Sequence, residues 1–191
     1  MRAILVCVTL AAVSASAAFA HPNIGDTGSL AAGFIHPLTG IDHTSAMALV
    51  GLWGALVGGR AVWAWPVIFI VAMLIGFAAA AWGLQIGFVE PAIAMSIILF
   101  GVLTAFRVRL PIILGGAIVG LLAFFHGHVH GTEAAGDLTS YAAGFTLSTA
   151  SLHVAGIAIG LCIGRLIETI ASERKRLGSR AIRTASGGEL P

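Results

Sequence analysis

Residues 62–83 read VWAWPVIFIVAMLIGFAAAAWG, twenty-two positions without a charged side chain. As a helix rising about 1.5 Å per residue, such a run is long enough for the hydrocarbon core of a bilayer. The apolar runs at 30–57, 88–106, 110–128 and 139–166 are long enough as well. Hydrophobic residues fill 58% of the 191 positions and charged residues 9%, whereas a soluble domain carries about 25% charged residues. The expected fold is therefore all-α: a polytopic bundle of five transmembrane helices.

Residues 1–20 carry the marks of a signal peptide: Arg2, an apolar stretch from Ala3 to Val13, and Ala18-Phe19-Ala20 as a small-x-small cleavage site. An uncleaved first helix is the alternative, and the shortness of the stretch argues against it. Cys7 lies deep inside the stretch, which disfavours a lipid-anchored start. The mature chain is expected to begin at His21. Beyond it, arginine occupies alternate connectors: Arg60 in the first, Arg107 and Arg109 in the third. The second, Gln85 to Gly87, and the fourth, Gly131 to Asp137, have none. Arg165, Arg174, Lys175, Arg176, Arg180 and Arg183 follow towards the C-terminus. All basic residues of the mature chain thus fall on one side, which the positive-inside rule makes cytoplasmic. Five crossings then put His21 outside, as signal cleavage requires. The expectation is a bacterial inner-membrane protein with a periplasmic N-terminus. Residues 21–170 would be the membrane domain, and 171–191 a loosely ordered basic tail in reach of anionic membrane lipid.

Several classes are excluded. Ten Lys and Arg against eight Asp and Glu form no stripe that tracks a phosphate backbone, so nucleic acid is not an expected partner. With Cys7 in the signal segment and Cys162 in an apolar helix, no disulfide and no thiolate metal site is available. There is no GxxxxGK[ST] loop, and the only lysine is Lys175, so the chain does not hydrolyse ATP by that route. No catalysis and no prosthetic group is expected, and nothing in the sequence supports a homo-oligomer. Gly54 and Gly58, Gly116 and Gly120, and Gly156, Gly160 and Gly164 stand four apart, a spacing that lets helices approach closely in lipid.

The chemistry lies in polar residues that a membrane tolerates poorly. His36-Pro37-Leu38-Thr39-Gly40-Ile41-Asp42-His43 places three ionisable groups in the first apolar run, where a central Asp costs roughly 2.5–3.5 kcal/mol. On a straight helix His36 and His43 share a face but stand about 10 Å apart, too far for one ion. Pro37 cannot donate to the Gly33 carbonyl and Gly40 is permissive, so a break is expected that would bring these side chains together. At the end of the fourth run, Phe125-His126-Gly127-His128-Val129-His130-Gly131-Thr132-Glu133 sets His126, His130 and Glu133 on one helical face. That is a metal-ligand face, with His128 off it and read as an exposed residue. Glu90 starts the third run, and His153 lies roughly 21 Å into the fifth. Glu90 has an interfacial alternative and His153 a helix-packing one. By depth, His36, His126, His130, Glu133 and Glu90 are expected in the outer region, with His43 and His153 near mid-membrane. His21, once freed, offers an α-amine beside its imidazole as a further outer chelate; Pro22 has no N–H to extend it.

The two histidine segments match HPxxGxDH and FHGxxHGxE at every fixed position, and on them the chain resembles the HupE/UreJ family. The resemblance extends over nearly the whole chain apart from the tail. It implies a permease for nickel, or for cobalt, of the kind often encoded beside hydrogenase or urease. Residues alone give less: a divalent-metal site of imidazole and carboxylate, which suits Ni, Co, Zn and Cu(II) rather than Mg or Ca. A metal sensor or accessory binder without transport fits that pattern too. A haem protein with His43 and His153 as axial ligands also remains, as does, more remotely, an intramembrane hydrolase, although His126 to Glu133 does not read HExxH.

Imidazole must be neutral to bind a metal, and its ordinary pKa is about 6.5. Uptake by such a site should therefore fall as external pH drops through that region. A rate constant between about pH 5 and 8 would argue against histidine as the rate-setting ligand.

Overall fold

Ser29 opens the first helix, its hydroxyl accepting from the Ala32 N–H at 3.0 Å. The computed structural model describes residues 29–134 and 136–186, and all of its regular elements are helical. The proposed signal segment and His21 lie outside the described residues. Helix α1 (Leu30–Thr39) contains Pro37 and stops at Gly40, whose backbone is extended (φ −91°, ψ 113°). Helix α2 (Ile41–Val57) resumes at once, so the first run over 30–57 is two helices of 10 and 17 residues. Groups freed by the break find local partners. The Thr44 hydroxyl donates to the Pro37 carbonyl and the Thr39 hydroxyl to the His36 carbonyl, both at 2.8 Å.

The chain continues through α3 (Ala61–Ala81), α4 (Val89–Ala105), α5 (Ile112–Glu133) and α6 (Leu138–Ser186). By length and composition α3, α5 and the stretch Leu138–Ser179 of α6 can each cross a membrane, while α1, α2 and α4 are shorter apolar helices. Large apolar side chains such as Trp63, Ile113, Leu121 and Val154 face outward, as lipid contact requires. The chain is a helical membrane bundle. Two boundaries depart from expectation: α5 runs past 128 to Glu133, and α6 continues as helix to Ser186 through what was expected to be a loose tail. The start of α6 is capped by Asp137, whose carboxylate accepts from the Ser140 hydroxyl and from the Thr139 and Ser140 N–H groups. These bonds, the Ser140 hydroxyl first, hold the Asp137 carboxyl below its ordinary pKa.

Helix α3 lies along α5, and α6 lies along both α1 and α2. Glycine makes these approaches possible. A Cβ on Gly76 or Gly127 would run into the backbone carbonyl of Phe124 or Met73 across the α3–α5 seam. Gly33 and Gly144 do the same between α1 and α6, and Gly51 and Gly156 between α2 and α6. Each seam is therefore built from glycines facing backbone on both sides, close enough for Cα–H···O contacts. The four-apart expectation fits only in part. Gly116 and Gly120 meet Ile68, and Gly156 and Gly160 meet the α2 backbone, but Gly58 (φ +82°) ends α2 and Gly164 faces open space. At the arginine-bearing end, Trp53 and Trp65 stack at 4.0 Å. Their indole N–H groups donate to the Val108 and Ile112 carbonyls at 2.9 and 3.2 Å. The α4–α5 connector is thereby tied to the core.

Gly156→Ala should destabilise the bundle by about 1–3 kcal/mol, because its Cβ collides with the Ala48 carbonyl, which cannot move freely. Gly164→Ala, with nothing within 4 Å, should be neutral or slightly stabilising. Thermal unfolding of the two variants in detergent measures the contrast, and equal melting temperatures would contradict the seam.

Candidate metal centre

Asp42 and His43 open α2 directly after the break. Asp42 Oδ1 accepts from the His43 backbone N–H and from His43 Nδ1, both at 2.9 Å. A carboxylate oxygen accepts, so the ring proton sits on Nδ1 and Nε2 keeps its lone pair. That Nε2 is buried without a hydrogen-bond partner. Gly40 makes room for the pair, since a Cβ there would stand 2.7 Å from Asp42 Oδ1 and 3.2 Å from His43 Nδ1.

The other half of the site comes from the last two turns of α5. His126 and His130 are fully buried. The His43 ring packs against both, with centroid distances of 5.0 and 4.5 Å. His130 also meets the His36 ring edge-on at 4.8 Å, so it stands between the histidines that flank the break. His36 Nε2 pairs with Glu133 Oε2 at 3.0 Å, and these two side chains are 28% and 30% exposed. The site therefore runs from a solvent-reachable mouth at His36 and Glu133 to sealed imidazoles behind it.

Nδ1 of His126 and both ring nitrogens of His130 have no hydrogen-bond partner among the described residues. Leaving a buried polar atom unpaired costs about 1–3 kcal/mol, so these clustered nitrogens are placed to take a further partner and could serve as metal ligands. One ligand atom from each of His36, His130 and Glu133 lies within 4.8 Å of the other two. Ligands about 2.1 Å from a metal stand no more than about 4.2 Å apart. Roughly half an ångström of closure would let one ion take all three. Phe69 of α3 packs between the cluster and His153, with its ring 5.6 Å from His126 and 5.0 Å from His153. His153 Nδ1 donates to the Thr149 carbonyl at 2.8 Å, leaving Nε2 unpartnered.

The sequence profile described as HupE / UreJ protein matches residues 8–186. Protein HupE of Rhizobium leguminosarum bv. viciae is 40% identical over 170 residues, covering 87% of this chain and 88% of its own. The chain belongs to the HupE/UreJ family. No solved structure matches it. The match runs to 186, so the resemblance reaches into the tail that the two motifs had left out.

Both family motifs meet in this one cluster. Of the residues expected to bind metal, His36, Asp42, His43, His126, His130 and Glu133 are brought together. His43 stands level with His126 and His130 rather than in a deeper layer, because the chain restarts at Ile41 instead of continuing the α1 axis. His153 sits beyond Phe69. Glu90 stands exposed in the first turn of α4, outside the cluster, and His21 lies outside the described residues. His128 is off the metal face, as its spacing implies. It is buried rather than exposed, with Nε2 donating to the Leu84 carbonyl at 2.9 Å. Phe69, Tyr141 and Ser96 were not singled out in the sequence. The two aromatics blend into apolar runs, whereas Ser96 is a lone hydroxyl in AIAMSIILF (92–100) and so carried a weak signal.

His130→Ala should lower nickel affinity of the purified protein by more than tenfold, since it removes the ring between His36 and His43. His128→Ala should leave that affinity unchanged. It should lower stability by about 1–3 kcal/mol, through loss of its bond to the α3–α4 connector. Equal loss of nickel binding in both variants would contradict the assignment of faces.

Proposed function

We propose that this protein carries a divalent transition-metal ion, nickel foremost and cobalt next, from the periplasm across the inner membrane. Its cargo would serve hydrogenase or urease maturation. The family is associated with nickel and cobalt uptake for those enzymes, and the alternation of arginine-bearing connectors supports five crossings with the cluster at the outer end. One observation carries the reading: the His130 ring, with both nitrogens unpartnered, stands in contact with histidines from either side of the α1–α2 break. Interrupting a membrane helix and gathering four imidazoles beside the break, two of them fully buried, is costly, which supports a ligand at this place.

In this reading His36 and Glu133, at the half-exposed mouth, take the hydrated ion and begin to strip its water. His43, His126 and His130 replace that water with ring nitrogens, and Asp42 holds the His43 ring in place. His153, beyond Phe69, receives the ion on its way inward. An inside-negative potential contributes about 2.3 kcal/mol per charge per 100 mV, hence roughly 4.6 kcal/mol for a divalent ion, which is ample without ATP.

Proteoliposomes holding the purified protein should accumulate radioactive nickel when a potassium diffusion potential makes the interior negative, and more slowly when it is collapsed. Cobalt, zinc and copper added in competition establish the selectivity. Nickel that binds to the protein but never enters the lumen would identify a sensor or accessory binder instead.

A further inference from the structure

Ser96 lies in the middle of α4 and is fully buried. Its Oγ lies 2.6 Å from the Ile93 carbonyl oxygen, one turn back, and 2.9 Å from His126 Nε2. A hydroxyl has one proton to give. Two oxygens at 2.6 Å repel unless a proton lies between them, and a carbonyl has none. The Ser96 proton must therefore go to Ile93, which leaves only a lone pair facing the imidazole. His126 Nε2 then carries the ring proton and donates it to Ser96 Oγ. By elimination His126 Nδ1 bears the lone pair, and this is the buried atom with no partner.

We infer that Ser96 is a positioning residue for metal capture: by accepting from Nε2 it fixes the His126 tautomer and presents Nδ1 as the ligand atom. The inference rests on the proposed metal-carrying role for its purpose, but the tautomer itself does not depend on any metal. It parallels Asp42 on His43 and the Thr149 carbonyl on His153, each of which takes the proton of one ring nitrogen and leaves the other unpartnered. Ser96 differs in that its own hydroxyl is neutral and could face either way in isolation. The Ile93 carbonyl sets its direction. The result is a chain of one-way bonds from α5 into the α4 backbone: His126 to Ser96 to Ile93. An Nδ1 ligand reaches the metal from the side of the ring nearer the backbone, so the ion bound there sits closer to α5 than an Nε2 ligand would allow. A ring free to flip or to move its proton would offer the wrong atom part of the time.

The test uses the full-length protein in nanodiscs without metal, labelled with 15N-histidine, the His126 signals being assigned by their loss in His126→Gln. The expected spectrum has a protonated Nε2 and an unprotonated Nδ1 for His126. Ser96→Ala should spread His126 over both tautomers and weaken nickel binding, measured by equilibrium dialysis, about tenfold. Ser96→Thr keeps the hydroxyl and should restore both signatures. A His126 protonated on Nδ1 in the parent protein would overturn the inference, as would a Ser96→Ala protein that keeps one tautomer and full nickel affinity. A loss of folding would appear instead as equal damage in Ser96→Thr, or as a shifted melting temperature. Because the tautomer is read without nickel and binding without vesicles, a chain that fails to transport would sink the proposed function and not this assignment.

Discussion

The interruption of helix at Gly40 is the constraint on which the site depends. An unbroken helix from Leu30 to Val57 would hold His36 and His43 about 10 Å apart along its axis, too far for one ion to bind both. Pro37 removes one hydrogen bond, Gly40 takes an extended backbone, and the threonine hydroxyls of Thr39 and Thr44 cover carbonyls that the break sets free. The second helix then starts with Asp42 and His43 turned towards α5. Its first turn also supplies unpaired N–H groups, one of which Asp42 accepts. The break therefore both aims the histidine and secures the carboxylate that orients it.

Close helix packing completes what the break begins. In lipid the apolar surface of a helix gains little by meeting another helix, so association rests on contact distance and on polar bonds. Gly76, Gly127 and Gly131 bring α3 against α5 on the side that carries His126 and His130, with the Met73 and Phe77 carbonyls where side chains would otherwise stand. Phe69 then packs against His126 and Phe145 against His130. Among the described histidines His130 stands apart in having both buried ring nitrogens without a partner, whereas His126 and His128 each bond through Nε2 and leave Nδ1 unpartnered.

Much of this was legible in the residues. The apolar runs mark the helices, and Pro37 with Gly40 marks the break. The i,i+4 spacing of His126 and His130 marks their common face. Depth was not legible for His43: counting residues along one axis assumes a straight helix, and the chain changes direction between His36 and His43. The burial of His128 was hidden for a different reason. Its partner, the Leu84 carbonyl, belongs to a connector more than forty positions away, and a backbone oxygen leaves no trace in residue type. The glycine seams escaped for the same cause, since Gly33, Gly51 and Gly76 have no glycine four positions away and gain meaning only from the backbone they face. The helical continuation of α6 beyond the apolar run went unread because polarity was taken for looseness. Charged residues such as Glu173 and Lys175 are good helix formers once a long helix precedes them.

That last helix, 49 residues from Leu138 to Ser186 without a proline, is about 74 Å of continuous rod, far more than a bilayer's thickness. At one end Tyr141 lies beside His36, with ring centroids 6.0 Å apart, and the other end extends well past the apolar core. Without proline, such a rod curves only gently over its apolar length, the Gly178-Ser179 pair lying near its far end. Any closure of the mouth that shifts α1 against Tyr141 must either break the Gly33–Gly144 seam or tilt the whole rod, and a tilt would swing the far end through a larger arc than the movement that caused it. The end of α6 farthest from Tyr141 is thus, by geometry alone, the part of the bundle that such a tilt would move most.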